Sequence, residues 1–284
     1  MTEDENLEFL LQELCKDFGL EAKVLRRMAA SVKHLTYEKI FRDGGELAVT
    51  FEEKQLILQM VTRYRQREPL SKILNEKSFW KHDFFVNQHV LDPRPETELI
   101  IEAVQQRFAP CEQLNFLDLG VGSGCILLSL LGEFPNARGT GLDISPQAIE
   151  VAIHNQRRLG SNGARFRLGD WNDFPETTEK FDVIVSNPPY VPTNDLVLLD
   201  ENVRKYDPVI ALDGGPDGLD AFFAIGRLSQ KLLTQHGLIF FEVGFGQAEK
   251  VANILRKNDY QHINIFKDFS GIDRVLVAAR TAQI

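Results

Sequence analysis

Strand-length apolar runs alternate with longer, helix-periodic stretches through the second half of the chain, and this alternation restricts the fold more than any other feature. "NFLDLG" (115–120), "RGTGLD" (138–143), "ARFRLG" (164–169), "KFDVIVS" (180–186) and "GLIFFEVG" (237–244) read as strands. "GCILLSLLGEF", "SPQAIEVAIHNQRRLG" and "DGLDAFFAIGRLSQKLLTQ" lie between most of them and read as helices. Ser145-Pro146 offers an N-cap followed by proline at the first helical position. Strands joined through helices in this way predict a parallel sheet covered on both faces. "HINIFKD" and "RVLVAAR" have too few residues between them for a helical crossover, so the last strand is expected to run antiparallel.

The first 75 residues carry a different signal. Leu7, Leu10, Leu11, Leu14 and Phe18 line one face of an amphipathic helix. Val24, Met28, Val32 and Leu35 suggest a second helix, and Thr50-Phe51-Glu52-Glu53 fits a capping box ahead of a third. No catalytic group stands out there. Aromatic and β-branched residues then dominate "SFWKHDFFVNQHVLD" (78–92), with Asn87-Gln88 as the expected turn of a hairpin. "PRPETELIIEAVQQRF" follows, its prolines and acids marking a helix start, with the helix expected to run to about Phe108. The organisation is thus a helical domain at 1–76, a hairpin linker at 77–93 and an α/β domain at 94–284. Residues 191–216 show little regular pattern, and a connection of that length is expected to edge a binding cleft.

Three glycines, Gly120, Gly122 and Gly124, join the first strand to its helix. They permit a tight turn, close ligand approach and exposed helix N-terminal N–H groups. Their G-x-G-x-G spacing departs from the dinucleotide fingerprint G-x-G-x-x-G, which disfavours a nicotinamide-dependent oxidoreductase. Asp118 ahead of the loop suits a cationic ligand better than a pyrophosphate. Asp143 ends the second strand, where a carboxylate can accept from two ribose hydroxyls. After the third strand, Asp170 can take an exocyclic amine and Trp171 can pack a purine. A nucleoside with a positively charged, amine- and carboxylate-bearing tail satisfies this set: S-adenosylmethionine. Asp118, Gly120, Val121, Gly122, Ser123, Gly124, Asp143, Asp170, Trp171 and Asn187 are the expected cofactor residues.

"NPPY" (187–190) falls at the end of the fourth strand and so faces the same crevice. Two prolines stiffen the backbone and contribute no N–H. Asn187 Oδ1 and the Pro188 carbonyl can accept both hydrogens of a planar NH₂ group, while Tyr190 stacks on its plane. Asn187, Pro188 and Tyr190 are therefore the expected catalytic residues, and with Pro189 they form the expected substrate site. The 6-amino group of adenine and the side-chain amide of glutamine both meet this geometry. Composition bears on the choice. The net charge is −9, and residues 1–85 carry 14 basic and 15 acidic side chains, so the remainder is near −8. A protein that grips duplex DNA usually shows a basic stripe, and none stands out, so no DNA partner is expected. Cys15, Cys111 and Cys125 are too few and too scattered for a disulfide framework, and the N-terminus lacks a signal-peptide layout; a cytoplasmic setting follows. Neither a metal site nor a membrane span is expected.

These residues together resemble the bacterial release-factor glutamine methyltransferases, over most of the chain. "REPLSKILNEKSFWKHDFFV" and "VLDPRPETE" are similar to the family's hinge and the start of its catalytic domain. "DLGVGSG" resembles its cofactor loop, "SNPPYVP" its amide-holding motif, and "YDPVIALDGGPDGLDAF", "FEVGFGQ" and "GIDRVLVAAR" later blocks. The resemblance implies the class I S-adenosylmethionine-dependent methyltransferase fold plus a small all-α N-terminal domain that helps hold a protein partner. It also implies methyl transfer to the glutamine of the Gly-Gly-Gln loop in class-1 peptide release factors, by an enzyme expected to be a monomer. Arg67 and Lys72 depart from the family pattern in the hinge, and Asp207-Pro208 replaces Glu-Pro. Adenine-amino methylation of DNA or RNA is the alternative, as is glutamine methylation of a ribosomal protein, the activity of a sister group.

Overall fold

The structure, a computed structural model, describes residues 5–174 and 177–281. It divides into two compact units, Met1–Asn75 and Glu76–Ile284. In the smaller unit helices span Leu7–Phe18, Ala22–Lys33, Tyr37–Asp43, Phe51–Arg65 and Leu70–Leu74. Leu7, Leu10, Leu11 and Leu14 are buried against Leu25, Met28, Ala29, Ile57 and Val61. The Thr50–Glu53 capping box forms in both directions. This unit is not purely helical: Glu5–Asn6 pairs antiparallel with Ala48–Val49, a two-residue ladder that no periodicity could signal.

The larger unit opens on a hairpin, Glu76–Phe79 with His82–Phe85. Its turn is Trp80-Lys81, not Asn87-Gln88, and Trp80 sits at φ +54. The indole finds compensation in Glu133, which accepts from Nε1 at 2.7 Å, and Glu98 accepts from the Trp80 N–H at 2.8 Å. Asn87 instead accepts from the His89 N–H in a local turn. The hairpin is thus packed into the larger unit.

Seven strands build the sheet of this unit: β1 (Asn115–Leu119), β2 (Arg138–Asp143), β3 (Ala164–Leu168), β4 (Phe181–Ser186), β5 (Leu233–Glu242), β6 (His262–Lys267) and β7 (Asp273–Ala279). Their spatial order is 3-2-1-4-5-7-6, and β7 runs antiparallel to both of its neighbours. Helices α1 (Glu98–Gln105), α2 (Cys125–Glu133), α3 (Pro146–Leu159), α4 (Asp220–Leu232) and α5 (Ala248–Arg256) cover it. Side-chain alternation produces two cores. Phe116, Val183, Val185, Phe240 and Val277 join one layer with α1 and α2, while Leu117, Ile184, Ile239, Phe241 and Leu276 join the other with α4 and α5. α4 ends earlier than its sequence suggests, because Leu233 turns extended and starts pairing with Phe181. Residues 191–216 are also more ordered than expected. Short helical turns at Thr193–Leu198, Glu201–Tyr206 and Val209–Ala211 open directly after Pro192, Asp200 and Pro208.

Candidate active site

Strand order reverses between β1 and β4, and a cleft of about 250 Å³ opens at the carboxyl ends of the strands there. The loop after β1 forms one wall. The Gly120 and Val121 N–H groups both donate to the Leu142 carbonyl, and Gly122 donates to Asp143 Oδ2 at 2.8 Å. Ser145 N–H takes Asp143 Oδ1 at 2.9 Å. Two backbone donors thus aim Asp143 at the cleft. Burial raises its pKa, and the Ser145 and Gly122 N–H groups oppose that rise. Gly122 has φ +54 with open space where a Cβ would stand, leaving room for a ligand against the backbone. The buried Asn155 braces this loop from behind, donating to the carbonyls of Ser123 and Phe85 and accepting from the Phe85 N–H.

Asp118 lies beneath the loop, fully buried, and neither carboxylate oxygen has a hydrogen-bond partner. Burial pushes its pKa up to about 8, the Leu127 N–H in the first turn of α2, close by but outside hydrogen-bond geometry, offsets part of the rise, and the Asp143 charge adds to it. An orphaned buried carboxyl under a glycine cradle fits a ligand with a cationic amine. Across the cleft, Asp170 Oδ1 accepts from the Asn172 N–H and side chain, and Trp171 stands 3.5 Å from where a Cβ on Gly120 would be.

The NPPY corner forms the far side. Asn187 and Pro189 line the cleft beside Gly120, Val121, Gly122, Ser123, Asp143, Asp170 and Trp171. Asp118, Gly124, Pro188 and Tyr190 do not line the cleft in this structure. Tyr190 packs on the second core layer and its hydroxyl donates to Glu242 Oε1 at 3.2 Å. Thr97 donates to Glu242 Oε2 at 2.5 Å, and Asn187 Nδ2 donates to Thr97 Oγ1 at 3.2 Å. Burial raises the Glu242 pKa, while Thr97, Arg274 and Tyr190 favour its ionised form. Burial and the Glu242 charge raise the Tyr190 pKa in turn.

Glycines bring other backbone against the corner. A Cβ on Gly214 would meet the Pro189 carbonyl at 2.8 Å, and one on Gly218, at φ +75, would meet the Tyr190 carbonyl at 2.3 Å. Gln247 Nε2 donates to that same carbonyl at 2.9 Å. The "DGGPDG" block is therefore a backbone brace for NPPY. Asp207 pairs with Arg94 at 2.9 Å, tying the segment after NPPY to the chain ahead of α1. Pro208, Ile210, Ala211 and Asp213 from that segment line the cleft.

Sequence reasoning did not reach Thr97, Glu242, Gln247 or Asn155. Glu242 did leave a signal: it is an acid ending an apolar strand at the cleft, as Asp143 is. Among the described residues, no helix is long and apolar enough to cross a membrane, and no group of three or more His, Cys, Asp or Glu is placed to hold a metal ion.

Strand order 3-2-1-4-5-7-6 with an antiparallel β7, a glycine loop after β1 and an acid at the end of β2 define a class I S-adenosylmethionine-dependent methyltransferase. A methyltransferase-domain family model matches residues 111–255. A methyltransferase from Pyrococcus furiosus superposes with TM-score 0.53 at 18% identity, covering 78% of this chain and 100% of that one, which speaks for the fold alone. Nearer relatives fix the family. The release factor glutamine methyltransferase of Rhodospirillum rubrum is 43% identical over 240 residues, covering 84% of this chain and 73% of its own. That of Caulobacter vibrioides is 37% identical over 263 residues, covering 92% and 89%. The chain belongs to the release factor glutamine methyltransferase family.

Proposed function

We propose that this protein methylates the side-chain amide nitrogen of the glutamine in the Gly-Gly-Gln loop of class-1 peptide release factors. Bound S-adenosylmethionine supplies an electrophilic methyl group. The residues that would hold it are the Gly120–Gly124 loop, Asp143, Asp170 and Trp171, with Asp118 beneath the loop as the counter-charge for its amine. The substrate amide is planar and a poor nucleophile, so alignment and charge stabilisation carry the work. Asn187 Oδ1 and the Pro188 carbonyl accept its two hydrogens, and Tyr190 fixes its plane. As the nitrogen acquires positive charge, both acceptors bind it more strongly, an effect commonly worth ~10²–10³ in rate per group. No strong base is required, because the alkylated nitrogen sheds its extra proton readily.

The observation that carries this reading is the arrangement of Asn187: its Nδ2 is engaged by Thr97, so its acceptor is the end left for a ligand. An amide-bearing protein fits an acceptor corner in a chain of net charge −9 better than a polyanion does. The enzyme is read as a cytoplasmic monomer. Labelled S-adenosylmethionine offered with a class-1 release factor, its Gln→Ala variant and unmodified DNA tests the proposal. Label on the unaltered release factor alone is expected, and label on DNA would transfer the assignment to adenine.

A further inference from the structure

A carboxamide has two ends of opposite character, and a half-turn about its last bond exchanges the acceptor for the donor. If Asn187 is to accept from a substrate amide, as proposed above, something must forbid the flipped state. Proline stiffness cannot, because it fixes the backbone and leaves the end of the side chain free to turn. The Thr97 hydroxyl alone cannot either, since a hydroxyl both donates and accepts.

We propose that Glu242 and Thr97 are positioning residues that set the polarity of the Asn187 carboxamide. Glu242 takes a hydroxyl on each of its two oxygens, Thr97 on Oε2 and Tyr190 on Oε1, an arrangement that fits an acceptor-only carboxylate, so the Thr97 hydrogen points at it along a 2.5 Å contact in the range of a charge-assisted bond. Thr97 then presents only lone pairs to Asn187, which must answer with Nδ2 at 3.2 Å. Oδ1 is the end that remains for a substrate. The second oxygen of Glu242 takes the Tyr190 hydroxyl, so one buried carboxylate orders both polar side chains of NPPY. Thr97 and Glu242 are 2% and 1% exposed, which keeps water from competing for these bonds. The charged groups that bear on Glu242 are Arg274, which favours its ionised form, and Glu96, which opposes it. A protonated Glu242 could donate to Thr97, releasing the Thr97 hydrogen toward Asn187 and favouring the flipped amide.

Thr97→Val removes the hydroxyl at nearly constant shape. It is expected to lower kcat by ~10–10²-fold while the KM for S-adenosylmethionine stays close to wild type, and, because the buried Glu242 loses a donor, to lower the melting temperature by a few degrees. Thr97→Ser should recover kcat to within ~3-fold. In an Asn187→Ala background Thr97→Val should have no further effect, because it acts only through that side chain; a purely structural role would lower both backgrounds alike. A second readout does not depend on activity. Solvent exchange of the Asn187 side-chain amide, followed by ¹⁵N NMR on the ligand-free protein, should be slow in wild type and Thr97→Ser, and ~10-fold or more faster in Thr97→Val. Glu242→Gln offers an acceptor to only one of the two hydroxyls and should give a partial loss of the same protection. Unchanged exchange in Thr97→Val overturns the proposed orientation, and unchanged kcat overturns its role in catalysis. Were the wild-type enzyme to leave release factor unmethylated, the proposed function would fall while the exchange result still decided the orientation.

Discussion

The glycine loop and the NPPY corner face each other across one cleft and are built by opposite means. In the loop, Gly120 and Val121 hydrogen-bond to the neighbouring strand, and one carboxylate only 21 residues away completes the structure. In the corner, Asn187 reaches Thr97 across 90 residues, Thr97 reaches Glu242 across 145, and Tyr190 reaches Glu242 and Gln247 across 52 and 57. The loop's N–H groups are engaged by Leu142 and Asp143, so short-range backbone bonds set most of the cradle, with Asn155 bracing it from 32 residues away. An amide that must present one chosen end needs a network, and networks are assembled by the tertiary fold. The first kind of site tolerates change around it, while the second is only as good as its farthest member.

Asn187→Ala should separate the two sides most sharply, cutting turnover by ~10²-fold or more with a far smaller effect on cofactor affinity, as steady-state kinetics and calorimetry would read. Gly218→Ala comes next. Its Cβ would lie 2.3 Å from the Tyr190 carbonyl and 2.7 Å from Gln247 Nε2 at φ +75. A loss of ~10-fold in turnover and about 2 kcal/mol in stability is expected, again sparing cofactor affinity; denaturant titration reports the second quantity. Gly122→Ala meets nothing within 4 Å, so only its φ of +54 opposes it. That should lower stability by about 1–2 kcal/mol and weaken cofactor binding, leaving the turnover of the saturated enzyme largely intact.

The effect expected at Asp118 is on pH dependence rather than on turnover. Its carboxyl titrates near 8 when folded, against an ordinary value of 3.8. The folded chain therefore keeps a proton that the unfolded chain releases, so the ligand-free protein loses stability as pH rises from about 4 through 8. Asp118→Asn should flatten that decline by a few degrees in Tm between pH 5 and pH 8, measured by thermal melts. Equal slopes in the two proteins would mean that Asp118 is ionised in the fold.

Much of the sheet was legible because strands buried on both faces leave unbroken apolar runs, as in "DVIVS" and "LIFFE", and because the helix caps at Ser145 and Thr50 are local chemistry. The hairpin turn was misplaced because Trp80 takes a left-handed conformation that its residue type disfavours, held by Glu98 and Glu133. Gln88 and Asn87 are better turn residues by propensity, and tertiary bonds overrode them. The glycine loop could be read because its spacing is its function. Thr97 and Glu242 could not, since an isolated threonine in "PRPETE" looks like a helix start and an isolated glutamate like a strand end. Only the fold shows that they meet.

Central to this account is an acceptor corner that holds a glutamine amide by Asn187 Oδ1. A crystal structure with S-adenosylhomocysteine and a release factor bearing its Gly-Gly-Gln loop tests it most directly. The glutamine Nε2 is expected about 3 Å from Asn187 Oδ1 and from the Pro188 carbonyl, with Asn187 Nδ2 still on Thr97. A glutamine amide seated away from Asn187, or meeting its Nδ2 instead, would contradict the account.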